Sequence, residues 1–261
     1  MKPILTVDKL TMDFGGLRAL DRLDLEINSG EIVALIGPNG AGKSTFFNCI
    51  TGIYLPTGGG VYLSPPHGRQ EKINGLKPNQ VTEKGMARTF QNIRLFTEMS
   101  VLENIMIGRH CRTKASILGA VFKGPGTIRE EKEIVEDSYR ILVKIGLDDS
   151  VNMKATNLPY GAQRRLEIGR ALATEPFLLL LDEPAAGMNP RETKELDDLI
   201  ISLREEGMAI LLIEHDMKLV MSLSDRIYVM DYGKKIAQGT PAEIRNNPKV
   251  IKAYLGEEID A

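Results

Sequence analysis

The stretch from Glu31 to Cys49, EIVALIGPNGAGKSTFFNC, constrains the fold more than any other part of the chain. Glu31–Ile36 reads as a short buried strand, apolar after its first residue, and nothing interrupts the segment after the turn until Gly52. Between them Gly37, Pro38, Asn39, Gly40, Ala41, Gly42, Lys43 and Ser44 fit G-x-x-x-x-G-K-[ST], in the strand–loop–helix setting that this pattern requires. Glycines let successive backbone N–H groups face one concavity that side chains would otherwise fill. The positive end of the following helix adds to that field. Lys43 brings a full charge to the β- and γ-phosphates, and the Ser44 hydroxyl can ligate Mg²⁺. A plain glycine turn has no need of the strand before it or the unbroken helix after it. The expectation is a nucleoside triphosphate site.

The rest of the chain bounds the setting of that site. With 261 residues it can bury a large core as one domain with a subdomain. Its 43% hydrophobic and 26% charged residues are ordinary for a globular protein. No run approaches the ~20 apolar residues that span a bilayer, and MKPILTVDKLTMDF lacks the apolar block of a signal peptide. Cys49 and Cys111 stand in unrelated contexts without C-x-x-C spacing, which points to neither a disulfide framework nor a zinc site. These features suggest a cytosolic chain. A formal charge of −2 gives no reason to expect a nucleic-acid partner.

Read in order, Ile4, Leu5 and Val7, then Leu20, Leu23, Leu25 and Ile27, alternate as half-buried strands around a turn at Phe14-Gly15-Gly16. Phe14 sits in that loop without apolar periodicity, which on its own suggests a small packing contact. Pro56-Thr57-Gly58-Gly59-Gly60 punctuates the chain, Val61–Leu63 reads as a strand, and Ser64–Gly85 as an irregular excursion of a hairpin. Ser100-Val101-Leu102-Glu103 has capping-box form, predicting a helix from Val101 to about His110. Further helices are expected over Ala115–Phe122, Ile128–Ile145 and Gln163–Thr174. Phe177–Leu181 and Ala209–Ile213 are apolar throughout, as strands covered on both faces are. Asn189-Pro190 opens a helix that Gly207 stops, and another runs from Asp216 to about Leu223. Arg226–Met230 and Lys234–Ala237 form a hairpin, followed by two short capped helices, the second ending at Leu255-Gly256. The predicted class is α/β: a P-loop NTPase core of mostly parallel sheet with flanking helices, an N-terminal antiparallel β-subdomain and a helical insert. Residues 1–91 and 157–239 make the core, 92–156 the helical subdomain and 240–261 a C-terminal helical extension.

A phosphate loop needs an acid on a neighbouring strand to hold Mg²⁺ through water. Asp182 stands where the most hydrophobic strand stops, and Glu183 follows at once. Alternation turns the Glu183 carboxylate away from Asp182, toward a place for an attacking water. A solvated strand end is the blander reading of this pair, and the phosphate loop weighs against it. His215 ends the next strand, and its place beside Asp182 favours a γ-phosphate contact over a structural role.

These pieces, in this order, resemble the nucleotide-binding domain of ATP-binding-cassette proteins over essentially the full chain. The resemblance implies ATP and Mg²⁺, with the phosphate loop on Gly37–Thr45, so that Thr45 joins Ser44 there. It puts the glutamine that senses Mg²⁺ and the attacking water on Gln91, the catalytic glutamate on Glu183 and the switch histidine on His215. It also makes Phe14 the aromatic that stacks on adenine, displacing the packing reading. The family signature, L-S-G-G-Q, reaches the γ-phosphate of ATP on a second subunit. Here Leu158-Pro159-Tyr160-Gly161-Ala162 stands in that position, with Pro159 for the serine and Ala162 for the glutamine, while Gly161 and the helix start remain. Asn189 also replaces a frequent aspartate.

Within the family, RTFQNIRLF (Arg88–Phe96), YGAQRRLEI (Tyr160–Ile168), LDEPAAGMNP (Leu181–Pro190), LIEHDMKLVM (Leu212–Met221) and the tail Gly239–Gly256 are most similar to the ATP-binding subunit of branched-chain amino acid importers. That implies a pair of ATPase subunits, the same or similar chains, bound to two membrane-spanning permease subunits on the cytoplasmic face and fed by an extracytoplasmic solute-binding protein. Importers of other amino acids, amides or urea would share these motifs. A non-transport cassette typically carries two cassettes or long insertions. A kinase or GTPase has no use for Leu158–Ile168, and no N-K-x-D motif is present.

Overall fold

The computed structural model describes residues 3–112 and 125–259. The helix expected over Ala115–Phe122 lies outside them. Described residues within Met1–Arg88, Phe177–Glu183 and Ile200–Ala261 form one compact unit, and those within Thr89–Pro176 and Pro184–Leu199 a second. The second unit therefore takes in 157–176 and 184–199 as well as most of the 92–156 insert.

In the first unit, β1 (Leu5–Phe14), β2 (Leu17–Ile27), β4 (Gly58–Leu63) and β5 (Glu71–Lys72) build a four-stranded antiparallel sheet in the order β2-β1-β4-β5. A six-stranded sheet combines β3 (Ile32–Ile36), β6 (Met86–Arg88), β7 (Leu178–Asp182), β8 (Ala209–Ile213), β9 (Arg226–Asp231) and β10 (Lys234–Gly239) in the order β10-β9-β3-β8-β7-β6. Every pairing in it is parallel except that of β9 with β10. All five residues of β3, β7 and β8 are buried, as expected of parallel strands covered on both faces.

Two-residue alternation sorts the side chains of β3. Val33 and Leu35 join Leu178, Leu180, Leu211 and Ile213, Phe46 and Phe47 of α1 (Lys43–Ile50), and the inner residues of the antiparallel sheet in one core. Ala34 and Ile36 turn to a smaller core with Val220 of α7 (Met217–Leu223), Ile244 of α8 (Pro241–Arg245) and Val250 of α9 (Pro248–Ile259). The excursion after β4 is more regular than its composition suggests, because it includes β5 and α2 (Pro78–Glu83), at whose start Gln80 Oε1 accepts from the Lys77 N–H at 2.9 Å. Phe14 is the last residue of β1, paired with Leu17 across a Gly15-Gly16 turn, so it belongs to a strand rather than a loop. Helix α9 continues past Gly256, since glycine stops a helix only where the chain turns left-handed.

In the second unit, α3 (Val101–Arg109) opens with the expected box, Ser100 accepting from the Glu103 N–H and Glu103 from that of Ser100. It packs with α4 (Pro125–Lys144) and α5 (Tyr160–Leu172). Helix α5 starts three residues before Gln163, directly after Pro159, whose fixed φ suits the position preceding a helix. Gly108 and Gly169 lie where a Cβ would strike Arg170 and Ile145, which lets these helices approach closely. Asn189 caps α6 (Pro190–Glu205), its side chain accepting from the N–H groups of Arg191 and Glu192.

Candidate active site

In an open parallel sheet, ligands bind outside the carboxyl ends of the strands. In the first unit that edge collects the phosphate loop after β3, Asp182 and Glu183 at the end of β7, and His215 after β8. The loop is shaped by three glycines with positive φ: Gly37 at 155°, Gly40 at 76° and Gly42 at 99°. A Cβ on Gly37 would lie 2.2 Å from the Met230 carbonyl oxygen and one on Gly42 2.7 Å from that of Ala19, so neither tolerates a side chain. Gly42 stands at the N-cap of α1, and no side chain caps that helix or places an acid in its first turn. Its positive end is thus kept for an outside anion. Lys43 is buried, with Nζ donating to the carbonyls of Gly37 at 2.6 Å and Pro38 at 2.9 Å, which holds the ammonium across the loop. Asn39, Gly40 and Ser44 are exposed on the loop rim, Pro38 and Ala41 are buried, and Thr45 lies between these extremes.

Asp182 is 6% exposed and shares its strand face with Leu178 and Leu180, the face toward the core that holds Phe46 and Phe47. Glu183 leaves the strand in the left-handed region, φ 49°, a conformation that costs a non-glycine residue about 1–2 kcal/mol. Its N–H donates to the Ile213 carbonyl at 2.9 Å, so the turn is tied to β8. The turn swings the Glu183 carboxylate to the His215 ring, with Oε1 2.8 Å from Nε2. The two residues are 32 apart in the chain, and the sheet makes them neighbours. Such a pair can hold a water and accept its proton.

Among the described residues no three His, Cys, Asp or Glu side chains gather into a metal cage. One carboxylate and one hydroxyl, Asp182 and Ser44, are the donor set expected for Mg²⁺, a hard ion that keeps waters and takes phosphate oxygens for the rest of its shell. Phe14, 42% exposed, sets its ring edge-on to Tyr54 with centroids 5.4 Å apart, leaving much of its surface open.

Gln91 and Gly161 belong to the second unit. Gln91 is exposed on a bend, and its backbone carbonyl accepts from Arg164 at 2.7 Å. The same guanidinium donates to the Phe90 carbonyl at 2.7 Å and to Glu167 at 3.2 Å, while Glu167 accepts from the Arg94 N–H. Arg164 and Glu167 are each 1% exposed, and burial pushes the Glu167 carboxyl above its ordinary range, a rise that the Arg94 N–H and the Arg164 charge only partly offset. At the start of α5, the Gly161 N–H donates to Glu192 Oε1 at 3.2 Å, and a Cβ on Gly161 would lie 2.7 Å from that carboxyl group.

Comparison with known proteins places this geometry. The model of the ABC transporter family matches residues 20–186, and that of the branched-chain amino acid ATP-binding cassette transporter residues 234–260. The chain belongs to the ABC transporter family. This cassette is 52% identical over 257 residues to the high-affinity branched-chain amino acid transport ATP-binding protein LivG of Escherichia coli K12, covering 98% of this chain and 99% of the relative. It is 50% identical, with the same coverage, to BraF of Pseudomonas aeruginosa, which carries the same description. A crystal structure of the ADP conformation of an ATP-binding cassette of an ABC transporter superposes with a TM-score of 0.84 at 35% identity, covering 98% of this chain and 100% of that one. The expected class, a P-loop NTPase core with an antiparallel β-subdomain, is the one found, and the cassette is an ATPase.

Sequence reading of the cassette passed over Arg88, Arg164, Glu167 and Glu192, although the first three lie inside strings that carry the family likeness. Nothing in line singles out Arg88: only the β6–β7 register, which pairs it with Leu180 two residues before Asp182, brings it to the site. For Arg164 and Glu167, i,i+3 spacing is too common in helices to single out a buried pair.

Proposed function

We propose that this cassette is the ATP-hydrolysing subunit of a membrane importer of branched-chain amino acids. The near-full-length likeness to LivG and BraF supports the solute class. The observation that carries the chemistry is the 2.8 Å contact between Glu183 and His215 at the sheet edge shared by Asp182 and the phosphate loop. In this reading Gly37–Thr45 wrap the phosphates, Lys43 neutralises their charge and Phe14 stacks on adenine. Glu183 accepts the proton of the attacking water while His215 orients the γ-phosphate. Ser44 and Gln91, with Asp182 through water, hold the Mg²⁺ that would neutralise charge on the transferred phosphoryl group.

Two cassettes, of this chain or of this chain and a similar one, pair head to tail so that Gly161 of each faces the ATP of the other. The pair sits on the cytoplasmic face against two permease subunits supplied by an extracytoplasmic binding protein. Among the described residues no helix is long and apolar enough to cross a membrane, which suits that division of labour. The 92–156 subdomain and the loop at Gln91 would meet the permeases, with 1–91 and 157–239 as the ATP-binding core and 240–261 as an appendage.

Proteoliposomes holding this cassette with its permeases and binding protein test the reading. ATP inside the vesicles should drive uptake of labelled leucine, isoleucine and valine. ATP-driven uptake of amides or urea in place of all three would move the solute class, and no ATP-driven uptake would overturn the transport role.

A further inference from the structure

Arg88 ends β6, and its side chain lies on the face that Met86 shares with the main core. There its guanidinium meets two elements of the site at once. One terminal nitrogen donates to Asp182 Oδ2 at 2.7 Å, with the two side chains only 11% and 9% exposed. The other donates to Asn48 Oδ1 at 2.8 Å and to Thr51 Oγ1 at 3.3 Å, three residues apart on and just past α1, and the guanidinium carbon lies 5.3 Å from the Phe47 ring centre. Helix α1 has no basic residue in its last turn, so Arg88 also brings the cation that its negative end favours.

We propose that Arg88 is a positioning residue for Mg²⁺-dependent ATP hydrolysis, a fork that locks one oxygen of Asp182 to the phosphate-loop helix and turns the other toward the metal's water. The inference rests on the function proposed above and adds a residue to the same site. The physical reasoning is geometric. A carboxylate on a strand end can rotate about its terminal torsion, and a group that holds a metal needs a hydrogen-bond partner to fix its orientation. A planar guanidinium bonded on both sides fixes it, whereas a lysine ammonium is a point charge without the fork. Because the anchors lie on α1, the same contact sets the distance between Asp182 and the helix that carries Ser44.

The test measures metal affinity apart from turnover. Full-length wild type, Arg88→Met, Arg88→Lys, Asp182→Asn and the double variant R88M/D182N are titrated with Mn²⁺ in the presence of a non-hydrolysable ATP analogue, and bound metal is read by electron paramagnetic resonance. Affinity for the analogue in EDTA is measured in parallel. Arg88→Met should weaken Mn²⁺ binding about 10- to 100-fold, the usual effect of removing a partner of a metal ligand, and leave metal-free analogue binding close to wild type. Arg88→Lys should recover part of the loss, and the double variant should bind Mn²⁺ no more weakly than Asp182→Asn alone. Should Arg88→Met fail to fold, Asn48→Ala replaces it, since it keeps the ion pair and cuts one tether; it should weaken Mn²⁺ binding less. Unchanged Mn²⁺ affinity in the folded Arg88 variants, or equal losses with and without metal, would overturn the role of Arg88 while the wild type still binds both. A wild type that binds no analogue would overturn this inference together with the functional reading.

Discussion

Two helix starts in this chain treat negative charge in opposite ways. At α1 no side chain caps the helix, Gly42 opens it in the left-handed region, and the Glu183 carboxylate at the same sheet edge is held on His215. At α5 the chain supplies its own anion: Glu192, already part of the cap that opens α6, reaches across to the Gly161 N–H. Both ends carry the same partial positive charge. The difference teaches that an uncovered helix start is arranged by the loop that leads to it, and that a short turn elsewhere in the chain suffices to cover the other.

The comparison can be broken at either end. The largest effect is expected at the open end. Glu183→Gln should lower ATP turnover about 10²- to 10⁴-fold, the range for loss of a general base, with nucleotide binding retained; turnover within tenfold of wild type would remove Glu183 from that role. The covered end depends on α5 being held in place by the Arg164–Glu167 pair. Glu167→Ala should destabilise the chain by about 3–5 kcal/mol in denaturant unfolding, because it strands a buried guanidinium; a loss under 1 kcal/mol would show that the site relaxes. Glu192→Ala should cost about 1 kcal/mol by the same measurement, as loss of a cap does, with metal-free nucleotide binding unchanged. Pro159→Ser should have the smallest effect, a modest rise in turnover or tighter nucleotide-driven pairing, since it adds one hydroxyl beside an N–H that Glu192 already occupies. An unchanged rate across a full ATP titration would count against it.

Much of the site could be read from residues in line. Gly37–Ser44 declares itself because its chemistry is local: a turn of glycines, one lysine and one hydroxyl within eight positions. Asp182 was legible because an apolar run ends on it, and Glu183 because it follows. The Glu183–His215 pair was legible only as two strand ends, since their 2.8 Å contact depends on β7 and β8 pairing in register from Leu178–Ala209 to Asp182–Ile213. Helix α5 begins three residues before the expected Gln163, because Pro159 at its N-cap has the fixed φ that suits the entry to a helix.

By itself the chain order determined features that live within a few residues: the phosphate loop, the buried strands, the capping boxes at Ser100 and Thr240, and the acid at the end of the most hydrophobic run. Tertiary structure alone decided which charges meet. Arg88 and Asp182 are 94 residues apart, and Gly161 and Glu192 are 31 apart. No local periodicity links such positions, because the side chains become neighbours only when the free energy of burying the strands and helices between them has fixed the register.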